Sequence, residues 1–220
     1  MALEERNKTI FIDRLSVPPK RIYSFIKRLF DIIASVTAII VFMPLMLIIS
    51  AVIVLQDGKK PIFAQTRMTK KGKRFRMYKF RSMYVGAEKE LDILRNRNEA
   101  DGPVFKMSED PRVTRFGRFL RRSSLDELPQ LFNILGGSMS FVGPRPPLPE
   151  EVEKYTPYQI QRLCVKGGLT CYWQCSGRSN ICFDDWVNMD IQYIKDRSCI
   201  TDIKIIFRTF GAVISGEGAK

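Results

Sequence analysis

Histidine is missing from this chain of 220 residues. Its absence excludes Ser-His and Cys-His nucleophile systems and every metal site that is built on imidazole ligands. Acid–base chemistry would therefore fall to carboxylates, lysines, tyrosines or thiols. Cysteine is scarce as well. The five cysteines lie between residues 164 and 199, at spacings that fit neither a redox CxxC pair nor a zinc knuckle, so we expect reduced thiols without a special role.

Acidic residues are too few to balance the basic ones. The sequence has 36 Lys and Arg against 23 Asp and Glu, which gives a formal net charge of +13. This excess predicts an anionic partner, which could be a nucleic acid, a surface of anionic lipids or a phosphorylated substrate. The hydrophobic fraction of 45% is that of a folded protein, and the length suits one domain with an appendage.

Charged residues are absent from residues 32–55, a run of 24. As a straight helix this run would be about 36 Å long, enough to cross a hydrocarbon core of about 30 Å. It is too long for a secretory signal, and no small-residue cleavage site follows it. The run therefore predicts a membrane segment.

Two features of this segment bear on its topology. Pro44 lies near its middle and would kink a helix. The segment is also flanked on both sides by cations, which favour the cytoplasmic face: Lys20, Arg21, Lys27 and Arg28 before it, and Lys59, Lys60 and Arg67 after it. A re-entrant hairpin that breaks at Pro44 satisfies both flanks. A kinked span remains the alternative on physical grounds alone.

The adjacent carboxylates Asp126 and Glu127 are the strongest candidates for chemistry. The Ser124 to Glu127 spacing is typical of a capping box, so the pair is expected to start a helix over residues 124–135. A helix N-terminus also favours phosphate groups. The surrounding sequence is rich in arginine, at Arg112, Arg115, Arg118, Arg121, Arg122 and Arg145. Such a site suits an anionic substrate, and its oxygen ligands would suit Mg²⁺.

The remaining elements are read from periodicity and turn residues. Short strands are predicted over residues 61–64 and 75–80, and helices over residues 87–98, 183–196 and 200–214. The last helix carries an apolar stripe that either the core or a membrane could cover. Ten Lys or Arg and no acid occupy residues 59–81. Attraction to anionic lipid explains most of these cations. The interleaved aromatics are a weaker argument for nucleic acid, since no nucleic-acid-binding motif accompanies them.

Residues 119–146, FLRRSSLDELPQLFNILGGSMSFVGPRP, closely resemble the core of the bacterial polyprenyl-phosphate phosphoglycosyl transferases, the monotopic sugar transferases. Further motifs of that family are KRLFD at residues 27–31, YKFRSM at 78–83, DPRVTRFGRFLR at 110–121 and GLTCYWQCSGRS at 168–179. The resemblance covers nearly the whole chain. One departure is Met43 before Pro44, where the family commonly has serine.

The resemblance implies a reaction in which a UDP-sugar gives its sugar 1-phosphate to undecaprenyl phosphate and UMP is released. By the resemblance, Asp126 is the nucleophile that forms a covalent phospho-sugar intermediate, and Glu127 helps with Mg²⁺, positioning or proton removal. Phosphate and nucleotide would be bound by residues at matching family positions: Lys79, Arg121 and Arg145, with Gln174, Arg178 and Asp190 at less understood ones. The metal ligands would be Asp126 and Glu127.

The expected fold is α+β and mostly helical. We expect a polar lead-in (1–20), an interfacial and re-entrant membrane helix broken at Pro44 (21–57), and a small catalytic domain (58–220) on the cytoplasmic face of the bacterial inner membrane. The partners would be a UDP-sugar, undecaprenyl phosphate and anionic lipids, without nucleic acid. A homodimer is compatible with the resemblance.

The family's pathways are the synthesis of exopolysaccharide, capsule or O-antigen. The loop at residues 102–105 and the C-terminal GEGA favour glucose or galactose as the sugar. The alternative from a different class is a basic scaffold anchored to the membrane without enzymatic activity.

Overall fold

The computed structural model describes residues 20–175 and 181–215, so most of the predicted lead-in and the C-terminal GEGA lie outside the described residues. The fold is α+β and mostly helical, as predicted. In chain order the elements are α1 (Arg21–Asp57), β1 (Ile62–Thr69), β2 (Lys73–Phe80), α2 (Leu91–Leu94), α3 (Arg115–Arg122), α4 (Gln130–Leu135), β3 (Ser140–Val142), α5 (Pro149–Val152), α6 (Pro157–Ile160), β4 (Gly168–Thr170), α7 (Phe183–Asp196) and α8 (Cys199–Ser215). Short 3₁₀ turns lie between several of them.

Helix α1 contains the whole apolar run and continues through Pro44 without interruption. The break predicted at Pro44 is thus not seen as an end of the helix. Proline removes one hydrogen bond, and the apolar residues on either side continue the helix around it. Gly58, with φ of 68°, ends α1 by donating its N–H to the carbonyl of Val54. Only 22% of the most apolar 18-residue window is buried, which is consistent with membrane association and unlike a core helix of a soluble protein.

The N-terminal part of α1 is attached to the rest of the fold by polar contacts. Arg28 donates to the carbonyls of Ile134 and Leu135, both at 2.7 Å, and so caps the C-terminus of α4. The buried Asp31 carboxylate accepts from the hydroxyl of Ser140 and the N–H of Phe141, both at 3.1 Å. The interfacial part of the predicted 21–57 segment is therefore continuous with the apolar run in α1, and Arg28 within it binds protein carbonyls.

The C-terminal part of α1 packs on the same unit through apolar side chains. Met46, Ile49 and Ile53 form a buried cluster with Phe80 of β2 and Leu120 of α3. At the last residue of α1, Asp57 forms an ion pair with Arg81. Both ends of the apolar helix thus contact one contiguous fold.

Strands β1 and β2 form an antiparallel hairpin with regular pairing from Ile62–Phe80 to Thr69–Lys73. The two predicted strands are confirmed and are longer than expected. The outer edge of β2 is held by α4. The side-chain amide of Asn133 accepts from the N–H of Tyr78 at 2.9 Å and donates to the carbonyl of Arg76 at 2.8 Å. This amide acts like one peptide unit of a third strand and fixes α4 against β2.

The helix predicted over residues 124–135 is divided. Residues Leu125–Glu127 form a 3₁₀ turn, and α4 begins only at Gln130. Ser124 has a φ of 56° and its side chain caps nothing, so the predicted capping box is wrong. The neighbouring Leu125 and Leu128 pack against the apolar cluster below α1. This tertiary packing outweighs the local capping preference.

The C-terminal third surrounds the short parallel pair β3–β4, in which Ser140 pairs with Gly168 and Val142 with Thr170. Helix α7 has the predicted bounds, and α8 is one residue longer at each end than predicted. The face of α8 that contains Ile205 is buried. Ile203, Phe207 and Phe210 are exposed, so the apolar stripe is not part of this core.

Candidate active site

The carboxylates of Asp126 and Glu127 lie on either side of one lysine. The Lys79 ammonium donates to Asp126 Oδ2 at 3.1 Å and to Glu127 Oε1 at 2.8 Å. The Asp126 side chain is 8% exposed and that of Glu127 is 25% exposed, so Glu127 is the more accessible of the two carboxylates. These three residues are site candidates through the resemblance, and the structure brings their side chains together.

Local backbone geometry brings the carboxylates to Lys79. Asp126 and Glu127 are adjacent in a 3₁₀ turn, and the ammonium of Lys79 reaches both carboxylates from β2. Lys79 is the penultimate residue of β2, and Asn133 anchors that strand seven residues after Asp126. The predicted helix N-terminus is not the organising feature here, because α4 starts after the pair. Instead, the ammonium of Lys79 on β2 holds the two carboxylates in position.

Arg121 approaches the site from α3. Its Nε donates to the hydroxyl of Ser82 at 3.0 Å. Burial lowers the pKa of Arg121, while the nearby Asp126 carboxylate acts in the opposite direction. Helix α3 can lie this close because Gly117 has no side chain. A Cβ atom there would lie 1.9 Å from the carbonyl oxygen of Ser82. Gly117 therefore determines how closely Arg121 approaches the carboxylates.

Arg145 reaches the site from the proline-rich loop, with its Nη1 at 3.8 Å from Glu127 Oε1. The loop is fixed on β1, because the N–H of Met68 donates to the carbonyl of Pro147 at 2.9 Å. Arg67 donates to the carbonyl of Pro146 at 3.1 Å. The conformation of the loop, and with it the position of Arg145, thus depends on β1.

Arg67 is the residue that sequence reasoning missed. It was grouped with the ten cations assigned to lipid, and seven of those ten are indeed exposed. Arg67 instead lies among protein atoms. Burial, followed by the positive charge of Arg145, lowers the pKa of Arg67 to about 10, so it stays charged at neutral pH. The only sequence signal that could have placed Arg67 on the inward face is the alternation of side chains along β1.

Asp190 and Gln174, two of the residues predicted at less understood family positions, bind partners other than Asp126, Glu127 and Lys79. Asp190 is completely buried in α7 and pairs with Arg162, whose Nε lies 2.7 Å from its Oδ2. Gln174 is buried and donates to the carbonyl of Leu169 at 3.1 Å. Arg178 lies outside the described residues. Substrate contact by Asp190 and Gln174 receives no support from these positions, since neither makes a described contact with Asp126.

Among the described residues no cluster of three Asp, Glu or Cys side chains could hold a metal ion on its own. A Mg²⁺ ion does not require such a cage, because it usually keeps several waters and binds one or two carboxylates together with substrate phosphate oxygens. Asp126 and Glu127 supply two carboxylates beside a region rich in cations, which fits that donor set.

Comparison with known proteins decides the family. The model of the bacterial sugar transferase family matches residues 22–216. The chain belongs to this family. It is 49% identical over 166 residues to a protein named galactosyl transferase CpsE from Streptococcus agalactiae, covering 75% of the chain and 37% of that relative. It is 41% identical over 207 residues to an undecaprenyl-phosphate galactose phosphotransferase of Salmonella typhimurium, covering 91% of the chain and 43% of that relative.

The bacterial sugar transferase match contains every candidate site residue named above. The exopolysaccharide production protein ExoY of Rhizobium meliloti is 36% identical over 222 residues, covering 99% of the chain and 98% of that relative. This chain spans about two fifths of the length of the other two relatives. The family match contains the apolar helix together with the unit that contains Lys79, Asp126 and Glu127.

Proposed function

We propose that this protein transfers a sugar 1-phosphate from a UDP-sugar to undecaprenyl phosphate and releases UMP. The observation that carries the proposal is the pair of carboxylates around Lys79, in a site with three further cations, beside a helix apolar enough for a membrane. The names of two relatives support galactose as the sugar. The product would begin the assembly of an exopolysaccharide or a capsule.

The chemistry proceeds in two displacements at one phosphorus atom. A carboxylate oxygen of Asp126 attacks the phosphate that bears the sugar, the bond to UMP breaks, and an aspartyl phospho-sugar forms. An oxygen of undecaprenyl phosphate then attacks the same phosphorus and regenerates the carboxylate. No proton is gained or lost overall, so a general base is not required in either step.

The cations of the site would bind the diphosphate and stabilise the negative charge that develops on it. Arg145 and Arg121 offer guanidinium groups, which suit bidentate phosphate contacts. Lys79 now lies between the two carboxylates and can shift to a phosphate oxygen by rotation of its long side chain. Mg²⁺, bound by Asp126, Glu127 and phosphate oxygens, would stabilise negative charge on the leaving group. Glu127 then serves chiefly to bind the metal and to orient Lys79.

The proposed function is tested by separating the two displacements. We expect the purified protein to form an adduct of one phospho-sugar mass with UDP-galactose and Mg²⁺ alone, and to release one equivalent of UMP. Adding undecaprenyl phosphate should remove the adduct and give lipid-linked sugar. Intact-mass spectrometry and a panel of UDP-sugars measure both steps. Membrane binding without either step would favour the scaffold alternative.

We further infer that both ends of α1 stay on the cytoplasmic face. Arg28 and Asp57, near opposite ends of the helix, contact one contiguous fold. A helix that crossed the bilayer would draw part of that fold through it. A bend of the helix at Pro44 within the bilayer would let α1 enter and leave on the same side. The exposed apolar face of α8 and the seven exposed cations at residues 59–76 would then lie against anionic lipid.

The topology predicts that Arg21→Cys and Lys59→Cys, at exposed positions flanking the apolar run, are labelled from the same side. An impermeant maleimide should modify both in inside-out vesicles and neither in spheroplasts, and peptide mass mapping would separate them from native thiols. Val41→Cys, which is 63% exposed within the apolar run, is the control and should resist the reagent in both preparations. Labelling of the two flanks from opposite sides would disprove the topology.

A further inference from the structure

An apolar groove lies between α1 and the unit that contains the candidate active site. Its volume is about 460 Å³, within the range of about 300–1,000 Å³ that is usual for small-molecule sites. Nine residues line it: Met43, Met46, Leu47, Ser50, Ile62, Tyr78, Phe80, Pro129 and Phe132. The Ser50 hydroxyl donates to the carbonyl of Met46 at 2.7 Å, so even this polar side chain is satisfied within the helix.

One wall of the groove belongs to the membrane segment. Met43, Met46, Leu47 and Ser50 follow each other at helical spacing next to Pro44. Leu47 is 63% exposed. Two methionines give this wall an adaptable surface. The groove therefore opens beside the apolar, exposed surface of α1, and in a bilayer an apolar chain could enter it without crossing water.

The other wall leads to the reacting groups. Tyr78 and Phe80 flank Lys79 on β2, with side chains on the opposite face of the strand, and Pro129 of the groove follows Glu127 by two residues. Since consecutive Cα atoms are about 3.8 Å apart, the groove begins within roughly 8 Å of the Glu127 backbone. A ligand that leaves the groove past Pro129 with a phosphate at its end would place that phosphate near Glu127, to which Lys79 donates. Charge and apolar surface are thus arranged in the order in which they occur in a lipid phosphate.

We propose that this groove binds the isoprene units of undecaprenyl phosphate that adjoin its phosphate, and so aligns the acceptor for the second displacement. This inference rests on the proposed function, because only that reaction requires a lipid phosphate at Asp126. Water in the groove would face almost wholly apolar side chains, and an apolar chain that replaces it gains about 25 cal/mol for each Å² removed from water. The groove would act on acceptor binding and leave the first displacement alone.

The test is a pair of neighbouring substitutions on α1. Ser50→Phe places a ring in the groove, whereas Ala51→Phe places the same ring on the exposed surface of the next residue. We expect Ser50→Phe to raise the KM for undecaprenyl phosphate about tenfold or more, as the loss of a few buried methylene groups would. It should form the adduct from UDP-sugar at the wild-type rate, which also shows that it is folded. Ala51→Phe should match the wild type in both steps.

A second measurement decides the case in which Ser50→Phe fails to fold. An undecaprenyl phosphate analogue with a diazirine in its first isoprene units should crosslink wild-type protein at groove residues such as Leu47 and Phe132. Crosslinks elsewhere, or groove labelling that a phospholipid displaces as well as undecaprenyl phosphate does, would overturn the inference. A wild-type KM in Ser50→Phe would do the same. Failure of the wild type to form any adduct would instead count against the proposed function.

Discussion

Replacing Asp126 by asparagine is expected to abolish both formation of the phospho-sugar adduct and transfer to lipid. An amide oxygen has the shape of the carboxylate oxygen and can still accept from Lys79, whose Nζ lies 3.1 Å from Asp126 Oδ2. It is a poor nucleophile, however. Loss of a nucleophile lowers kcat by on the order of 10³-fold or more in enzymes of this type. The measurement is adduct mass and UMP release in single-turnover conditions.

The control for Asp126→Asn is Asp92→Asn, which makes the same chemical change at a surface site. Asp92 is 82% exposed and pairs with Arg95, three residues later. Exposed pairs of this kind contribute less than about 1 kcal/mol, so full activity is expected. A wild-type rate in Asp126→Asn would refute the covalent scheme. An adduct mapped to Glu127 in the wild type would exchange the roles of the two carboxylates.

Hydrophobic periodicity and turn residues predicted the elements that depend little on contacts with distant parts of the chain. Helix α7 begins and ends at the predicted residues because its apolar spacing is regular and Arg197 leaves the helical conformation. The hairpin was predicted from alternation but with shorter strands. Its paired extension, residues 65–69 with 73–77, depends on α4 and on the Asn133 amide, which lies more than fifty residues away in sequence. Local patterns cannot contain that contact.

The capping box shows the opposite outcome. Ser124 and Glu127 have the right identities and spacing, yet Ser124 is left-handed and Glu127 binds Lys79. Packing of Leu125 and Leu128 below α1 fixes this turn, and the apolar partners come from a segment that precedes it by about eighty residues. The sequence predicted an anion-binding site at the two carboxylates and attributed it to the N-terminus of a helix. In the structure the cation that contacts both carboxylates is Lys79.

The cations of the site could be assigned only through the resemblance. Lys79, Arg121 and Arg145 are spread over three elements and nothing in their spacing brings them together. Arg67 belongs with them, but its position inside a basic stretch concealed it. Where charge is abundant, a sequence does not tell which cation turns inward, because the partner that neutralises or buries it is distant.

Arg162→Met is expected to lower the thermal stability strongly, whereas Arg162→Met combined with Asp190→Leu should restore it. The two side chains are 1% and 0% exposed, and Arg162 also donates to the Tyr155 hydroxyl at 2.8 Å. Its guanidinium lies 4.7 Å from the centre of the Trp186 ring. Removing the cation alone leaves a buried carboxylate unpaired, which costs about 3–5 kcal/mol. For a chain of this size that is a fall in Tm of roughly 10 °C.

The double replacement separates a structural role of Asp190 from the substrate contact predicted for it. Replacing a buried ion pair by apolar side chains is often neutral or stabilising, and Arg162 Nη2 has no hydrogen-bond partner among the described residues, so the native pair is incompletely satisfied. Arg95→Met, at an exposed pair, should change Tm little. Thermal denaturation in detergent gives Tm, and the rate of adduct formation gives substrate use. If the double variant is stable yet has a raised KM for UDP-sugar, Asp190 contacts substrate. If the double variant has the Tm and the KM for UDP-sugar of the wild type, Asp190 has a structural role. Its carboxylate then serves to neutralise Arg162 where α7 packs on the core.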